Sequence, residues 1–451
     1  MAESEKTEEE KRRSSGDEEP ETEEDSTSEL MKKIEELSII TEKKGPIDDP
    51  GESEIQAVTS GNTVYEAAVK FEDLDLSKEL IKGLYIEMDF TRPSKIQAIS
   101  LPMILTPPYK DLVAQAHNGS GKTTCFVLGM LSRIDPTKEG PQAMCICPTR
   151  ELAQQNKAVL MRDGKVHCYN FMCSIQSDSA RYDTIYNRPE LKEHVVYGNP
   201  GTIKKLMTEK KLMTCNINIL VFDEADHMLA ESGFKDDSER IMRDIRRESG
   251  DARFVLLFSA TFNETVKAFV SHVVRDANQI FVKKEELTLE KVKQYKVRCY
   301  RDREHPDECL CLKTKVIKKI LEFGRMVGQT IIFVRTREGA KNLYKELSKE
   351  GWECTSIQGA LNIEHRDKII KEFKDGLTLV LITTDLLARG FDQEQVNLVV
   401  NYDLPVVYES LKRGSLSLIV RCTCIELVEL GVLVAMVLCL ICSAVERNKL
   451  C

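Results

Sequence analysis

Short apolar runs alternate with amphipathic stretches along the chain from about residue 66 onward. Seven of these runs are five to eight residues long and nearly uncharged, which is typical of strands buried on both faces of a parallel sheet. Helix-length segments separate them, as in repeated strand–helix–strand units. We therefore predict an α/β fold with strands at residues 111–116, 142–147, 217–223, 253–259, 330–334, 379–383 and 396–403.

A charged segment at residues 283–293 interrupts this alternation, which restarts afterwards. The interruption predicts a linker between two parallel-sheet domains, one over residues 66–282 and one over residues 294–405. A chain of 451 residues is long enough for two domains with separate cores.

The net charge of −9 is concentrated at the N-terminus. Residues 1–30 contain thirteen acidic and four basic residues, whereas the remaining 421 contain sixty of each. We expect residues 1–65 to form a disordered acidic tail, with Ser26 and Glu29 as the capping box of a short amphipathic helix. The neutral remainder neither indicates nor excludes a basic groove for a polyanion.

The fifteen cysteines are too scattered to form a disulfide framework. No secretory signal peptide is recognisable at the start of the sequence. We therefore expect reduced thiols and a location in the cytoplasm and nucleus.

The stretch AHNGSGKTT, residues 116–124, follows a predicted strand and precedes an apolar helix, as a phosphate-binding loop does. Gly119 and Gly121 would let backbone N–H groups face phosphates at the helix N-terminus. Lys122 would reach the β- and γ-phosphates and Thr123 would ligate magnesium. Further nucleotide contacts are expected from Ser120 and Thr124. The alternative interpretation is a glycine turn before an ordinary helix.

The third predicted strand ends in the carboxylates Asp223, Glu224 and Asp226. In parallel sheets, functional residues gather where strands end. Asp223 is expected to hold Mg²⁺ through water, and Glu224 to orient or deprotonate an attacking water. Asp226 is expected to bond the end of the neighbouring strand at Ser259 and Thr261, and so to couple the two domains. An acidic strand-to-helix turn is the alternative.

These motifs, with PTREL at residues 148–152, resemble those of the DEAD-box RNA helicases. IIFVRTR, QGAL and TTDLLARGFD continue the family order in the second half, so the resemblance covers residues 66 to 405. It implies two RecA-like domains, ATP and Mg²⁺ as cofactors, single-stranded RNA or a messenger ribonucleoprotein as partner, and a monomer. Longer phrases are similar to the branch that exports messenger RNA at the nuclear pore, which implies nuclear-pore partners.

The resemblance also implies roles for individual residues. Phe71 would stack on the adenine and Gln97 would read its edge, while Gly390 and Asp392 would face the nucleotide. The residues at the family's RNA-contact motifs are Thr149, Arg150, Gly201, Thr202, Gln358, Gly359 and Thr383. Contacts to backbone and sugar would hold RNA without reading its bases.

The sequence departs from the family after residue 405. The family continues with an arginine-rich motif that stabilises charge on the transferring phosphate, but here only Arg413 lies where its first arginine would fall. An arginine of this kind supplies about three to five decades of rate, so we expect retained nucleotide binding and slow turnover. The second domain should be incomplete, with an exposed sheet edge. A non-catalytic RNA- or nucleotide-binding adaptor is therefore the alternative function.

The segment Leu430–Val445 contains sixteen consecutive uncharged residues. A membrane-spanning helix needs about twenty, so membrane association is not expected, although a short tail anchor is one interpretation. A repacked domain end is another, and residues 415–420 could form a strand in any case. The abrupt loss of family pattern and the local excess of cysteine favour a third, translation from another reading frame or an unspliced intron.

Overall fold

The structure, a computed structural model, describes residues 55–59, 65–116, 120–164, 173–176, 189–230, 233–249, 254–274, 276–282, 293–301, 306–324, 328–359, 361–384, 387, 391, 393, 395–403, 406–408, 418–420 and 436–444. These residues form two large sheets and one two-stranded sheet. The predicted α/β fold with two parallel-sheet units is confirmed.

The first sheet has eight strands in the spatial order β1-β8-β2-β7-β6-β3-β5-β4. All neighbouring pairs are parallel except β1 with β8. The strands are β1 (Ile55–Val58), β2 (Leu112–Gln115), β3 (Ala143–Ile146), β4 (Cys173–Gln176), β5 (Val195–Gly198), β6 (Ile219–Phe222), β7 (Phe254–Ser259) and β8 (Asn278–Val282).

Helices cover both faces of this sheet, and successive strand residues supply two separate cores. Along β2, Leu112 and Ala114 pack into one core and Val113 into the other, because side chains alternate between the faces of a strand. The helices are α1 (Lys78–Lys82), α2 (Lys95–Leu105), α3 (Lys122–Leu131), α4 (Arg150–Gly164), α5 (Pro200–Thr208), α6 (Ala225–Ala230), α7 (Phe234–Ser249) and α8 (Glu264–Val273).

The second sheet has six strands, all pairs parallel, in the order β11-β12-β10-β13-β16-β9. Its strands are β9 (Lys293–Arg301), β10 (Gln329–Phe333), β11 (Cys354–Ile357), β12 (Val380–Thr383), β13 (Val396–Asn401) and β16 (Met436–Ala444). Its helices are α9 (Pro306–Gly324), α10 (Arg337–Lys349) and α11 (Ile363–Lys374). A two-stranded antiparallel sheet consists of β14 (Val406–Tyr408) and β15 (Leu418–Val420).

The expectation of an exposed sheet edge beside β13 is wrong. Strand β16 comes from the uncharged segment after residue 430 and pairs in parallel with β13 on one side and β9 on the other. A run of apolar and small residues can fill a central parallel strand, because such strands are buried on both faces. This arrangement corresponds to the repacked domain end, the interpretation that the sequence favoured less. Among the helices of the described segments, none is long and apolar enough to cross a bilayer.

The prediction of disorder throughout residues 1–65 is wrong for β1. Its four residues pair antiparallel with β8 at the edge of the first sheet. Composition does not reveal this strand, because it forms by pairing with β8, which lies more than two hundred residues away in the sequence. The predicted helix near Ser26 and most of the predicted linker lie outside the described residues.

Candidate active site

The predicted site residues of the first domain follow the carboxyl ends of adjacent parallel strands. The phosphate loop follows β2, the acidic motif follows β6, and Ser259 with Thr261 stands at the end of β7. Strand β7 lies between β2 and β6 in the sheet. Parallel strands end at one edge, so the fold gathers these three segments there.

The phosphate loop turns into α3 through a glycine conformation. Gly121 has a φ of +95°, which lies in the left-handed region that favours glycine. A Cβ added at Gly121 would lie 2.4 Å from Nε2 of Gln97. The Oγ of Ser94 donates a 2.6 Å hydrogen bond to the carbonyl of Ser120. The loop is thus held against the N-terminus of α2, and no larger residue fits at Gly121.

Lys122 is the first residue of α3 and is only 6% exposed. Its Nζ donates a 2.9 Å hydrogen bond to the carbonyl of Ala116 and lies 3.5 Å from Oε1 of Glu224. A buried ammonium requires such partners. The amine therefore stands between the end of β2 and the acidic motif, where a phosphate could replace its present contacts. Thr123 and Thr124 are the next two residues of α3.

Asp223 is buried beside both Glu224 and Lys122. Burial, together with the negative charge of Glu224, raises the pKa of Asp223 to about 6. The Lys122 ammonium and a hydrogen bond from Asn156 lower that pKa but do not offset the burial. The carboxylate is therefore mostly ionised at neutral pH, and a bound cation would offset part of its desolvation.

Glu224 has a φ of +52°, in the left-handed region that costs a non-glycine residue about 1–3 kcal/mol. The turn ends β6 and starts α6, whose first hydrogen bonds run from the amides of His227 and Met228 to the carbonyl of Glu224. This conformation places two successive carboxyl groups at the same strand tip.

Asp226 joins the ends of β6 and β7, as the sequence predicted. Its carboxylate accepts a 2.5 Å hydrogen bond from the hydroxyl of Thr261, and its amide donates to Oγ of Ser259 at 3.2 Å. Ser259 in turn donates to the carbonyl of Thr261. A role of this network in coupling the two domains stays a prediction.

The two residues expected to recognise adenine are engaged within the protein. Phe71 is fully buried, with its ring against Tyr85 and Phe90. Gln97 donates from Nε2 to the carbonyl of Gly121 at 3.3 Å and accepts from the amide of Ser94 at 2.9 Å. Gln97 therefore links the phosphate loop to α2, and adenine recognition by either residue stays a prediction.

The residues predicted to contact RNA also follow carboxyl ends of strands. Thr149 caps α4, because its Oγ1 accepts a hydrogen bond from the amide of Leu152 at 3.2 Å. Asn199 caps α5 through the amide of Thr202 at 2.8 Å, with Gly201 between them. In the second sheet, Gln358 and Gly359 follow β11 and Thr383 ends β12. Thr202 and Thr383 are buried. The RNA-binding role of this set stays a prediction.

Arg150 makes a contact that the sequence did not suggest. Its two terminal nitrogens bind both carboxylate oxygens of Asp367 on α11, at 2.7 and 3.0 Å. Partial burial works to raise the pKa of Asp367, but the hydrogen bonds and charge of Arg150 lower it below its ordinary value. The neighbouring Glu151 accepts from Arg366 at 3.1 Å, and this second pair is largely buried. Two ion pairs therefore join α4 of the first unit to α11 of the second.

Gly119, Gly390, Asp392 and Arg413 lie outside the described residues. Within the described segments, no cluster of three or more histidine, cysteine or acidic residues could hold a metal ion by itself. The donor set does suit Mg²⁺ bound together with a triphosphate: a buried carboxylate, a threonine hydroxyl and an ammonium at a helix N-terminus. The Oγ of Ser120 is buried and makes no hydrogen bond to described residues, so this cradle also has an unused donor.

Two family models match the chain. The model for DEAD/DEAH box helicase matches residues 94–269, and that for helicase conserved C-terminal domain matches residues 312–421. The chain is 63% identical over 363 residues to DEAD-box ATP-dependent RNA helicase 38 of Oryza sativa subsp. japonica, covering 80% of this chain and 70% of the relative. The Arabidopsis thaliana protein of that name is 55% identical, covering 84% and 75%.

The fold is similar to solved structures of S. cerevisiae Dbp5. The structure of Dbp5 bound to RNA and ADP BeF3 is 32% identical with a TM-score of 0.72, covering 83% of this chain and 90% of that one. A Dbp5 variant bound to a gle1 variant and ip6 gives a TM-score of 0.62 at the same identity, covering 84% and 90%. Overall similarity is thus higher to the RNA-bound structure than to the gle1-bound one.

Proposed function

The chain belongs to the DEAD-box ATP-dependent RNA helicases, and from that premise we propose that it binds Mg²⁺-ATP and remodels RNA or RNA–protein complexes. One observation carries the proposal: the buried amine of Lys122 lies 3.5 Å from Glu224 and acts on Asp223. This brings together, at the tips of two strands, the cation and the carboxylates that a phosphoryl-transfer site requires.

Each residue of the site then has a task. Lys122 releases Ala116 and Glu224 and holds the β- and γ-phosphates, while the backbone at Ser120 and Gly121 faces the same phosphates. Asp223 and Thr123 would hold Mg²⁺, which when bound would supply positive charge to neutralise those phosphates. Glu224, freed from Lys122, accepts a proton from or orients the attacking water.

The RNA-binding part of the proposal rests on α4 and α11. The family motif that contains Thr149 and Arg150 lies at the two ion pairs between the units, and Arg150 forms one of these pairs. The similar Dbp5 structure was solved with RNA. An RNA strand lying across both units would bind most tightly when these pairs hold the units together. ATP bound between the units would favour the same arrangement, and hydrolysis would release it.

We further propose that the protein acts in messenger RNA export, in the cytoplasm and nucleus and at the nuclear pore. The support is the phrase-level similarity around residues 222–245 and 385–405 together with the solved Dbp5 complexes, one with RNA and one with gle1, nup159, ip6 and adp. We expect a monomer that binds protein partners at its surface.

A second candidate function is a catalytically impaired adaptor that binds RNA or nucleotide. The observation that favours it is the sequence after residue 405, where the arginine motif of the family is replaced. Loss of transition-state charge stabilisation slows turnover without removing the phosphate loop or Asp223.

RNA-stimulated ATP hydrolysis separates the two functions. The assay compares this chain with a version that carries the family's usual sequence after residue 405. We expect ADP binding in both and strong RNA-stimulated turnover only in the restored version. If the two proteins hydrolyse ATP at rates within a few-fold of each other, the adaptor function is excluded. If neither protein binds nucleotide, the proposed function is contradicted.

Acid should weaken Mg²⁺-dependent nucleotide binding. Because the pKa of Asp223 is raised to about 6, the ionised form that binds a metal is lost as the pH falls through that value. We expect the affinity for Mg²⁺-ADP to be about tenfold weaker at pH 5 than at pH 7. Titrations in EDTA correct for protonation of ADP itself, and the Asp223→Asn variant should lack the Mg²⁺-dependent part of the pH effect.

Removing Arg366 should favour the open arrangement of the two units. The Arg366→Ala variant leaves the carboxylate of Glu151, which is 4% exposed, without its cation, and breaking a buried pair in this way costs up to about 3–5 kcal/mol. With an ATP analogue and RNA present, we expect the ratio of closed to open molecules to fall about tenfold or more. Single-molecule Förster resonance energy transfer between dyes on the two units measures this ratio. Exchange of the two charges, Glu151→Arg with Arg366→Glu, should restore part of it.

A further inference from the structure

Asn156 is a buried polar residue that lies outside the family motifs and has no role assigned by them. It lies on α4, nearly two turns after Arg150, and its side chain is fully buried. Its Nδ2 donates a 2.7 Å hydrogen bond to Oδ2 of Asp223. The contact joins residues 67 positions apart in the sequence and reaches the acidic motif from the face of α4.

The oxygen atom of the same side-chain amide lacks a hydrogen-bond donor among the described residues. Oδ1 of Asn156 is buried and makes no hydrogen bond to described residues. A buried acceptor without a partner is unfavourable, and an apolar side chain of similar size would avoid that loss. Reversing the amide would turn Oδ1 toward the carboxylate of Asp223, so its orientation is set by Asp223. The same Nδ2 also donates a 3.5 Å hydrogen bond to Sγ of Cys147, but a thiol is a weak acceptor. The strong interaction of Asn156 is therefore its 2.7 Å bond to the carboxylate of Asp223.

We propose that Asn156 is a positioning residue for the Mg²⁺ site, which holds the Asp223 carboxylate in its metal-binding orientation. The inference deepens the proposed function and depends on it. A carboxylate at a strand tip can rotate about its side-chain bonds, and a hydrogen bond from a rigid helix removes that freedom. With Oδ2 held by the amide, the carboxylate presents its other lone pairs to the metal or to its water ligands.

The position of α4 gives this contact a second consequence. The N-terminal turn of the helix carries Arg150 and Glu151, which bind Asp367 and Arg366 of the other unit. Asn156 lies on the same helix and binds the metal-site carboxylate. One helix therefore carries both the ion pairs between the two units and the hydrogen bond to the Asp223 carboxylate.

The test measures metal-dependent binding and not activity. A fluorescent ADP is titrated into the full chain and into its Asn156→Leu variant, once with Mg²⁺ and once with EDTA. We expect the affinity with Mg²⁺ to fall about tenfold, as for a lost hydrogen bond to a charged group, and the affinity with EDTA to stay unchanged. Asn156→Ser, whose hydroxyl is too short to reach Asp223, should show the same selective loss and serves if the leucine variant does not fold.

Asn218 offers a matched control. It is another asparagine of the first sheet region whose Nδ2 is bonded, to the carbonyl of Arg133 at 2.9 Å, while its Oδ1 is buried without a described partner. Asn218→Leu should lower thermal stability and leave both affinities unchanged. If Asn156→Leu lowers the ADP affinity equally in Mg²⁺ and in EDTA, the positioning role is wrong. It is also wrong if the variant lowers the affinity in neither condition. If the unaltered chain itself gains no affinity from Mg²⁺, the proposed function fails instead.

Discussion

Truncation of the chain after residue 435 is expected to unfold the second sheet while the first sheet stays folded. The deletion removes β16, which is paired over all nine of its residues with β9 and over four with β13. Each backbone hydrogen bond contributes about 0.5–1.5 kcal/mol net, so the loss is several kcal/mol. That is comparable with the whole stability of a domain, about 5–15 kcal/mol.

The truncation would interrupt the second sheet and not merely shorten it. Strand β9 contacts the rest of the sheet through β16, so without it β9 loses its strand neighbour and β13 becomes an open edge. Unpaired edges of parallel strands promote aggregation. We therefore expect the truncated protein to be less soluble as well as less stable.

Hydrogen exchange measures this directly. Protection of amides in β9, β10 and β13 should collapse in the truncated chain, while protection in β2, β3 and β6 stays unchanged. A truncation after residue 444, which keeps β16 whole, is the matched control and should behave as the full chain does. Normal protection of β13 in the shorter chain would show that β16 is dispensable.

Replacement of Lys122 by alanine is expected to weaken nucleotide binding severely. The ammonium is nearly buried and compensates two adjacent carboxylates. Removing one partner of a buried charge pair costs about 2–5 kcal/mol, which corresponds to a loss of affinity of roughly 30- to 4000-fold. Any ATP hydrolysis should fall to background.

The control for Lys122→Ala is Lys138→Ala. Lys138 is 66% exposed and pairs with Asp135 on the surface, where such pairs contribute about 0–1 kcal/mol. Calorimetric titration with Mg²⁺-ATP should give unchanged affinity for this variant. Because Asp223 and Glu224 lose their cation in Lys122→Ala, a thermal melt is needed to show that the protein is folded. A folded variant with normal affinity would contradict the assignment of the phosphate loop.

The regular part of the fold was predictable because buried parallel strands are nearly continuous apolar runs. All seven predicted strands are present, within two residues at either end. Strand β5, Val195–Gly198, was missed because its apolar run is only three residues long and lies between His194 and Gly198. Strand β16 was missed for a different reason. Sixteen uncharged residues are compatible with a strand, a short membrane anchor or translation from another reading frame or an unspliced intron, and the strand becomes evident only from its pairing with β13 and β9.

The site was predictable where its residues belong to short sequence motifs that directly follow a strand. Lys122, Asp223 and Glu224 come together because each follows a strand of one parallel sheet. Contacts made by side chains on helix faces left no such signal. Asn156 and Asp367 have ordinary helical surroundings in the sequence, and their partners lie 67 and 217 positions away.

The position of β16 has a consequence for synthesis on the ribosome. Strands β9 and β16 are adjacent in space, yet β9 begins at Lys293 and β16 at Met436. The first sheet can fold while the later residues are still being translated, whereas the second must wait until residues 436–444 have been synthesised. Contacts so distant along the chain form slowly, and β9 stays exposed meanwhile. Nascent chains should therefore depend on chaperones for longer in their second half than in their first.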